Sequence, residues 1–381
     1  MKILLVCGIY PPEIGGPARY AQKIAEQFIN KGNGVSVLTY STDDSDQSEH
    51  LLKWKIIRIV RRNKILNRMR FFAAVYRLAP KYDLVYMLDW FAAGFPAALA
   101  ARLRGKKYVV RVGGDYLWEQ RYLESGEPPI PLTDFCTRGI YRRARYTLFY
   151  RAIRFVLRNA AHVIFNSDRQ RELYIRYYGI SAVGASTIYN PIPRLEHRTV
   201  VRGKPTNEFI YWGRFIVMKN LTSLVRAFAA ANLPGSFSLT FIGDGPRKKE
   251  LADLVRNLGI SERVKILPPM PLPELLERGK NCRAFILPSW TDISPNQVYE
   301  CLSIGLPVLA TKENYLNIKD LLPEMIDPNS ISDISKKLEK LADDAYYSDF
   351  VRRFKDISIK HDWDDVVKEH KNIFMQVQKN I

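Results

Sequence analysis

The chain has 381 residues, 47% hydrophobic and 25% charged, the balance of an ordinary globular protein and long enough for two cores. Its net charge of +19 points to a negatively charged partner. Four scattered cysteines (Cys7, Cys136, Cys282, Cys301) form no CxxC pair, which argues against a zinc site and suits a reducing compartment. The apolar start Ile3–Cys7 is too short for a secretory leader, and the longest apolar run, Phe91 to Ala101, falls short of the ~20 residues of a spanning helix, so a cytoplasmic protein is expected.

Short apolar runs alternate with helical patterns from the first residues onward. Strands are predicted at Ile3–Cys7, Val35–Thr39, Ile56–Val60, Leu84–Leu88, Tyr108–Val112 and Val163–Asn166. A second series follows at Phe209–Trp212, Leu239–Ile242, Val264–Leu267, Ala284–Leu287 and Val308–Ala310. Strand, helix, strand, repeated, argues for a parallel sheet covered on both faces, formed twice. A helix is predicted after Gly15-Gly16-Pro17, with Ala21, Ile24, Ala25 and Phe28 before Gly32. Another opens near Pro295 and closes at Gly305, with Pro307 beyond. Asn190-Pro191-Ile192-Pro193-Arg194 and the polar stretch to Pro205 read as a linker. The fold class is therefore α/β, two Rossmann-like doubly wound domains expected to face each other across a ligand cleft.

The positive charge is concentrated. Lys53 to Arg70 carries eight basic residues and no acid, and Arg138 to Arg158 carries seven and no acid. In the second segment Leu148, Phe149, Ala152, Ile153 and Val156 fall on one helical face, with Arg151, Arg154 and Arg158 opposite. That pattern fits a surface helix of an α/β domain; combined with the charge, it also fits an anchor on an anionic membrane.

Glycines at 8, 15 and 16 do not make G-x-G-x-x-G, strand two ends in Thr39-Tyr40 rather than an acid, and no phosphate-loop lysine motif occurs. A dinucleotide fold is a weak rival. In the second half, four loops each follow a strand: Trp212-Gly213-Arg214 leading to Lys219-Asn220, Gly243-Asp244-Gly245-Pro246, Leu267-Pro268-Pro269, and Pro288 to Glu300. Singly each is turn chemistry. Together they bring cations, small residues and the acids Asp244, Asp292 and Glu300 to one edge of a sheet.

These residues, Gly213-Arg214…Lys219, Gly243-Asp244-Gly245-Pro246, Pro288-Ser289…Glu300 with Gly305-Leu306-Pro307-Val308, and Gly15-Gly16, resemble retaining glycosyltransferases of the GT-B fold, glycosyltransferase family 4, over nearly the whole chain. The resemblance implies an acceptor-binding domain of residues 1–195 completed by the C-terminal helix 362–381, and a nucleotide-sugar-binding domain of residues 196–361. It implies that Glu300 holds the ribose diol of a nucleotide sugar through a bidentate charge-assisted contact, and that Asp292 binds hydroxyls of the transferred sugar. The backbone of Ile293, Ser294, Pro295 and Asn296 would face sugar and diphosphate at a helix N-terminus. Arg214 and Lys219 match the family's phosphate pair, which stabilises charge on the leaving diphosphate. Gly213, Gly243, Asp244, Gly245, Leu267, Gly15 and Gly16 complete the expected donor site, with Arg19 and Trp118 on the acceptor side.

Two positions depart from the family. Asp292 stands where a Glu is usual, one methylene shorter. After Tyr108–Val112 many relatives carry a sugar-contacting His; this chain has Gly113-Gly114-Asp115, so Asp115 or main chain would take over the contact. His162, His197, His361 and His370 read as structural, and Asp43-Asp44-Ser45-Asp46, a D-x-D mimic, reads as a solvated turn. No metal and no cofactor beyond the nucleotide-sugar co-substrate are expected. The expected acceptor is a saccharide, lipid-linked, met at the cytoplasmic face of a membrane in polysaccharide or glycoconjugate assembly. Two rivals are a nucleotide-sugar 2-epimerase on the same scaffold and a non-enzymatic nucleic-acid-binding protein; the chain shows no stacking platform or recognition helix for the latter.

Overall fold

The computed structural model describes residues 1–13, 15–42, 54–125, 127–193, 205–357 and 359–379. The Asp43–Asp46 cluster, Lys53, His197 and most of the predicted linker lie outside these residues. The chain forms two compact units: Met1–Leu117 with Cys136–Asn190 and Trp363–Ile381, and Trp118–Phe135 with Pro191–Asp362. The excursion 118–135, assigned above to the first domain, thus clusters with the second. Its anchors are Leu132, whose backbone N–H donates to Thr291 Oγ1 at 3.3 Å, and Thr133, whose hydroxyl meets that of Tyr315 at 3.0 Å.

The first unit holds a seven-stranded parallel sheet, β1 (Lys2–Cys7), β2 (Gly34–Ser41), β3 (Lys55–Val60), β4 (Leu84–Met87), β5 (Tyr108–Val112), β6 (His162–Phe165) and β7 (Ala185–Thr187), in the order β3-β2-β1-β4-β5-β6-β7. Helices α1 (Gly16–Asn30), α2 (Lys64–Leu78), α3 (Gly94–Leu103), α4 (Tyr116–Ser125), α5 (Leu132–Thr137), α6 (Ala144–Arg158) and α7 (Asp168–Tyr178) connect them. Covering on both faces explains why strands read as unbroken apolar runs: Ile3 to Cys7 are all buried.

The second unit repeats the plan with β8 (Glu208–Arg214), β9 (Ser238–Asp244), β10 (Val264–Leu267), β11 (Ala284–Leu287), β12 (Val308–Thr311) and β13 (Met325–Ile326), all parallel, in the order β10-β9-β8-β11-β12-β13. Its helices are α8 (Leu221–Ala230), α9 (Lys248–Asn257), α10 (Leu272–Gly279), α11 (Asn296–Ser303), α12 (Ile331–Ala342) and α13 (Asp344–Lys355). The last helix, α14 (Trp363–Lys379), belongs to the first unit, where Val366, Ile373 and Phe374 share a core with Ile24 and Phe28 of α1. His370 is buried there, its Nε2 hydrogen-bonded to the Tyr86 hydroxyl at 2.7 Å.

The predicted apolar face of α6 needs correction. Ile153 and Val156 are buried, but Leu148 is 76% exposed and Phe149 is also exposed. At 3.6 residues per turn, Leu148 stands about 140° around the helix from Ile153, beyond the face that packs.

Candidate active site

The site begins at the end of β8. After Arg214 the chain makes a short 3₁₀ turn, Val217–Lys219, and Asn220 adopts the left-handed conformation, φ +53°. Asn tolerates that region better than most side chains. Its Nδ2 donates to the carbonyl oxygens of Pro288 (3.2 Å) and Pro328 (3.0 Å), which ties this loop to the residue just after β11. A backbone bond from Trp290 N–H to Met218 O, 2.9 Å, closes the same seam. The two loops are thereby held side by side before any ligand arrives.

Lys219 uses that proximity. Its Nζ lies 2.5 Å from Asp292 Oδ2, and the same oxygen accepts from Ser289 Oγ at 2.8 Å. Only 15% of the lysine side chain and 11% of the aspartate are exposed, so the pair is largely screened from water. The Asp292 backbone is fixed on both sides, its N–H donating to Glu313 O and its O accepting from Tyr315 N–H, each at 2.9 Å. Such a pair satisfies two desolvated charges mutually. An incoming anion would compete for the lysine.

Glu300 lies on α11, which follows β11. Its Oε2 accepts the indole N–H of Trp212 at 2.7 Å, and Trp212 packs its ring 4.4 Å from that of Phe285. A buried indole thus orients the half-buried carboxylate from behind. Arg214 is exposed, and among the described residues its guanidinium makes no ion pair. The first turn of α11 has no side-chain cap and no acid, leaving its amide dipoles uncompensated at the same edge. Burial pushes the neighbouring Tyr299 hydroxyl up to about 12, and it donates to Asn317 Oδ1 at 2.9 Å.

The remaining donor residues predicted in the second unit fall along the carboxyl edge of β10, β9, β8 and β11. The glycines have a packing reason. A Cβ on Gly243 would stand 2.0 Å from the Gly213 carbonyl oxygen, and one on Gly245 2.5 Å from that of Phe215. Both also hold positive φ, +153° and +155°. Asp244 is exposed and accepts from the Gly245 N–H at 2.8 Å. Leu267 is half-buried at the end of β10; Ile293 and Pro295 are buried, Ser294 half-buried, and Asn296 exposed as the first residue of α11. A cavity of about 210 Å³ opens beside Asn220, lined by Phe215, Val217, Thr222, Arg247 and Trp290, none of which was predicted to touch the donor.

In the first unit Gly15 precedes α1, Gly16 opens it, and Arg19 is exposed one turn in. Two of the predicted side chains are enclosed. Asp115 has no exposure, and its Oδ2 accepts from the hydroxyls of Tyr174 (2.8 Å) and Tyr178 (3.1 Å); a carboxyl so enclosed offers no face to a sugar. Trp118 is 3% exposed, donates to Ile130 O at 2.8 Å, and belongs to the second unit, so it does not line an acceptor surface on the first. Sequence reasoning missed Trp212 and Ser289 as positioning residues and read Asn220 only as part of a turn. Among the described residues no cluster of three or more His, Cys, Asp or Glu stands ready for a metal.

Residues 15–191 match the Glycosyl transferase 4-like domain, and residues 194–360 match Glycosyl transferases group 1. The chain is a group 1 glycosyltransferase of the GT-B fold. An uncharacterized glycosyltransferase of Methanocaldococcus jannaschii is 20% identical to it over 98% of each chain. D-inositol 3-phosphate glycosyltransferase 1 of Catenulispora acidiphila is 24% identical over 70% of this glycosyltransferase and 66% of its own length. Among solved structures, the lipopolysaccharide outer core galactosyltransferase WaaB matches with a TM-score of 0.66 and 19% identity over 99% of both chains. Anabaena HepE in complex with UDP-glucose matches with a TM-score of 0.73 and 20% identity over 100% of both.

Proposed function

We propose that this glycosyltransferase moves a sugar from a nucleoside diphosphate donor to a saccharide acceptor carried on a lipid, with retention at the anomeric carbon. One observation carries the reading: a largely buried lysine–aspartate pair on the loops after β8 and β11 and an indole-held glutamate on α11 follow adjacent strands whose carboxyl ends are the usual ligand edge of such sheets. The diphosphate takes Lys219 and Arg214, Glu300 takes the ribose diol, and Asp292, released from Lys219, takes sugar hydroxyls.

In the transfer, the bond from the anomeric carbon to the diphosphate oxygen breaks and a bond from the same carbon to the acceptor oxygen forms on the same face. The acceptor hydroxyl proton passes to the departing diphosphate oxygen, so no side-chain base is required. Negative charge growing on that oxygen is met by Arg214, Lys219 and the α11 amides, which stand in place beforehand. These fixed cations supply the charge a metal would otherwise bring, so the reaction runs without one. The first unit takes the acceptor, with Arg19 at its contact. A UDP-glucose complex and a lipopolysaccharide galactosyltransferase among the structural neighbours support the donor class and a saccharide acceptor.

The test is thermal melting against a panel of nucleoside diphosphates and their sugars. A ligand at 100 times its dissociation constant adds about 2.7 kcal/mol of stability. One base is expected to stand out; a panel with no shift would remove the proposal.

A further inference from the structure

We propose that the exposed N-terminal turns of α2 and α6 form one docking surface for an anionic lipid bilayer. This deepens, and rests on, the reading of a lipid-borne acceptor. On α2, Asn67, Phe71 and Val75 face inward, whereas Ile65 is 71% and Met69 62% exposed. Those two stand one turn apart on the solvent side, where packing gives aliphatic side chains no reason to be. On α6, Leu148 is the most exposed of the helix's apolar residues and Phe149 stands beside it.

A buried ring links the two helices beneath these residues. Phe91 lies between them, edge-on to the Phe149 ring at 5.3 Å and beneath the Arg68 guanidinium at 5.1 Å. Helix α3 packs against both α2 and α6, with Phe95 edge-on to Phe155 at 6.1 Å. Exposed cations ring the apolar residues: Arg62, Lys64 and Arg70 on one side, Arg143, Arg145 and Arg151 on the other. No acid interrupts the sequence from Lys55 to Tyr82 or from Arg138 to Asn166. Cationic heads around protruding aliphatic side chains match an interface where arginines meet lipid phosphates and the aliphatic groups enter the acyl boundary. Nucleic acid would instead call for exposed aromatic platforms, and Phe91 is nearly buried. Among the described residues no helix is long and apolar enough to cross a membrane, so attachment by this surface is lateral.

The experiment is co-sedimentation of the full chain with phosphatidylglycerol vesicles and with phosphatidylcholine vesicles, without donor or acceptor. Wild type is expected to partition onto the anionic vesicles and far less onto the neutral ones. The triple variant Ile65→Ser, Met69→Ser, Leu148→Ser keeps every charge and is expected to lower the partition coefficient at least about tenfold, with unchanged melting. Arg62→Gln and Arg145→Gln should each lower it about fivefold. Equal binding by the triple variant, no binding by wild type, or displacement of wild type from vesicles by duplex DNA would each overturn the proposal. Nucleotide binding in the melting assay is independent of vesicles, so failure here leaves the transferase reading standing.

Discussion

Replacing Glu300 separates its bond to Trp212 from its proposed contact with the donor ribose. In the structure its Oε2 accepts the Trp212 indole N–H at 2.7 Å, and Trp212 is 3% exposed. Glu300→Ala leaves that donor without its acceptor, a loss of about 1–3 kcal/mol. For a unit of this size that lowers the melting temperature by roughly 2–12 °C. Glu300→Gln keeps an amide oxygen for the indole, so its melting temperature should stay near wild type. It loses the charge that makes a two-oxygen contact to the ribose diol strong, and a charge-assisted bond is worth about 1.5–3 kcal/mol. The preferred nucleoside diphosphate should therefore bind the Gln variant about 10- to 100-fold more weakly, read by titration calorimetry. A Gln variant that melts normally and binds the nucleotide like wild type would refute the ribose role. A Gln variant that melts as low as the Ala variant would refute the account of the indole bond.

Other substitutions address the rest of the site. Lys219→Gln should lower kcat about 10²–10³-fold, as loss of a preorganised donor does elsewhere, while binding of the nucleoside alone is little changed; an unaltered rate would remove Lys219 from the transition state. Asp115→Ala is expected to cost about 1–3 kcal/mol of stability, because the buried Tyr178 hydroxyl loses its acceptor while that of Tyr174 keeps the Gly114 carbonyl oxygen at 3.3 Å, and to spare kcat of the folded enzyme. Loss of kcat with unchanged melting would restore a catalytic role. Gly243→Ala forces a Cβ to within 2.0 Å of a carbonyl oxygen at positive φ, so urea unfolding should show a loss above about 2 kcal/mol, and a neutral result would contradict the close approach of β8 and β9. Prolonged treatment with a chelator should leave transfer within about twofold of the untreated rate, if Arg214 and Lys219 supply the charge stabilisation; inactivation reversed by a divalent cation would contradict it.

The long strands were legible because both sheet faces are covered, which demands continuous apolar runs; every strand predicted from such a run is present. The two strands not foreseen, β7 and β13, span three and two residues at sheet edges and carry too little apolar sequence to signal. The face of α6 was misjudged because periodicity reports where apolar residues cluster, while Leu148 is apolar and outside the core. At the site, the family resemblance pointed to Arg214, Lys219, Asp292 and Glu300. They were silent on the Lys219–Asp292 pair, since residues 73 positions apart meet only through the sheet. Trp212 read as a strand residue for the same reason: the indole's partner lies 88 positions away. The burial of Asp115 was not legible because sequence gives no exposure, and its enclosure comes from two tyrosines of α7.

The most direct measurement is a crystal structure of the protein grown with the nucleoside diphosphate that stabilises it most. The account predicts phosphate oxygens about 3 Å from Lys219 Nζ and the Arg214 guanidinium, and both ribose hydroxyls on the Glu300 carboxylate. Density for the nucleotide elsewhere, with Lys219 still bound to Asp292 and Glu300 touching only Trp212, would contradict it.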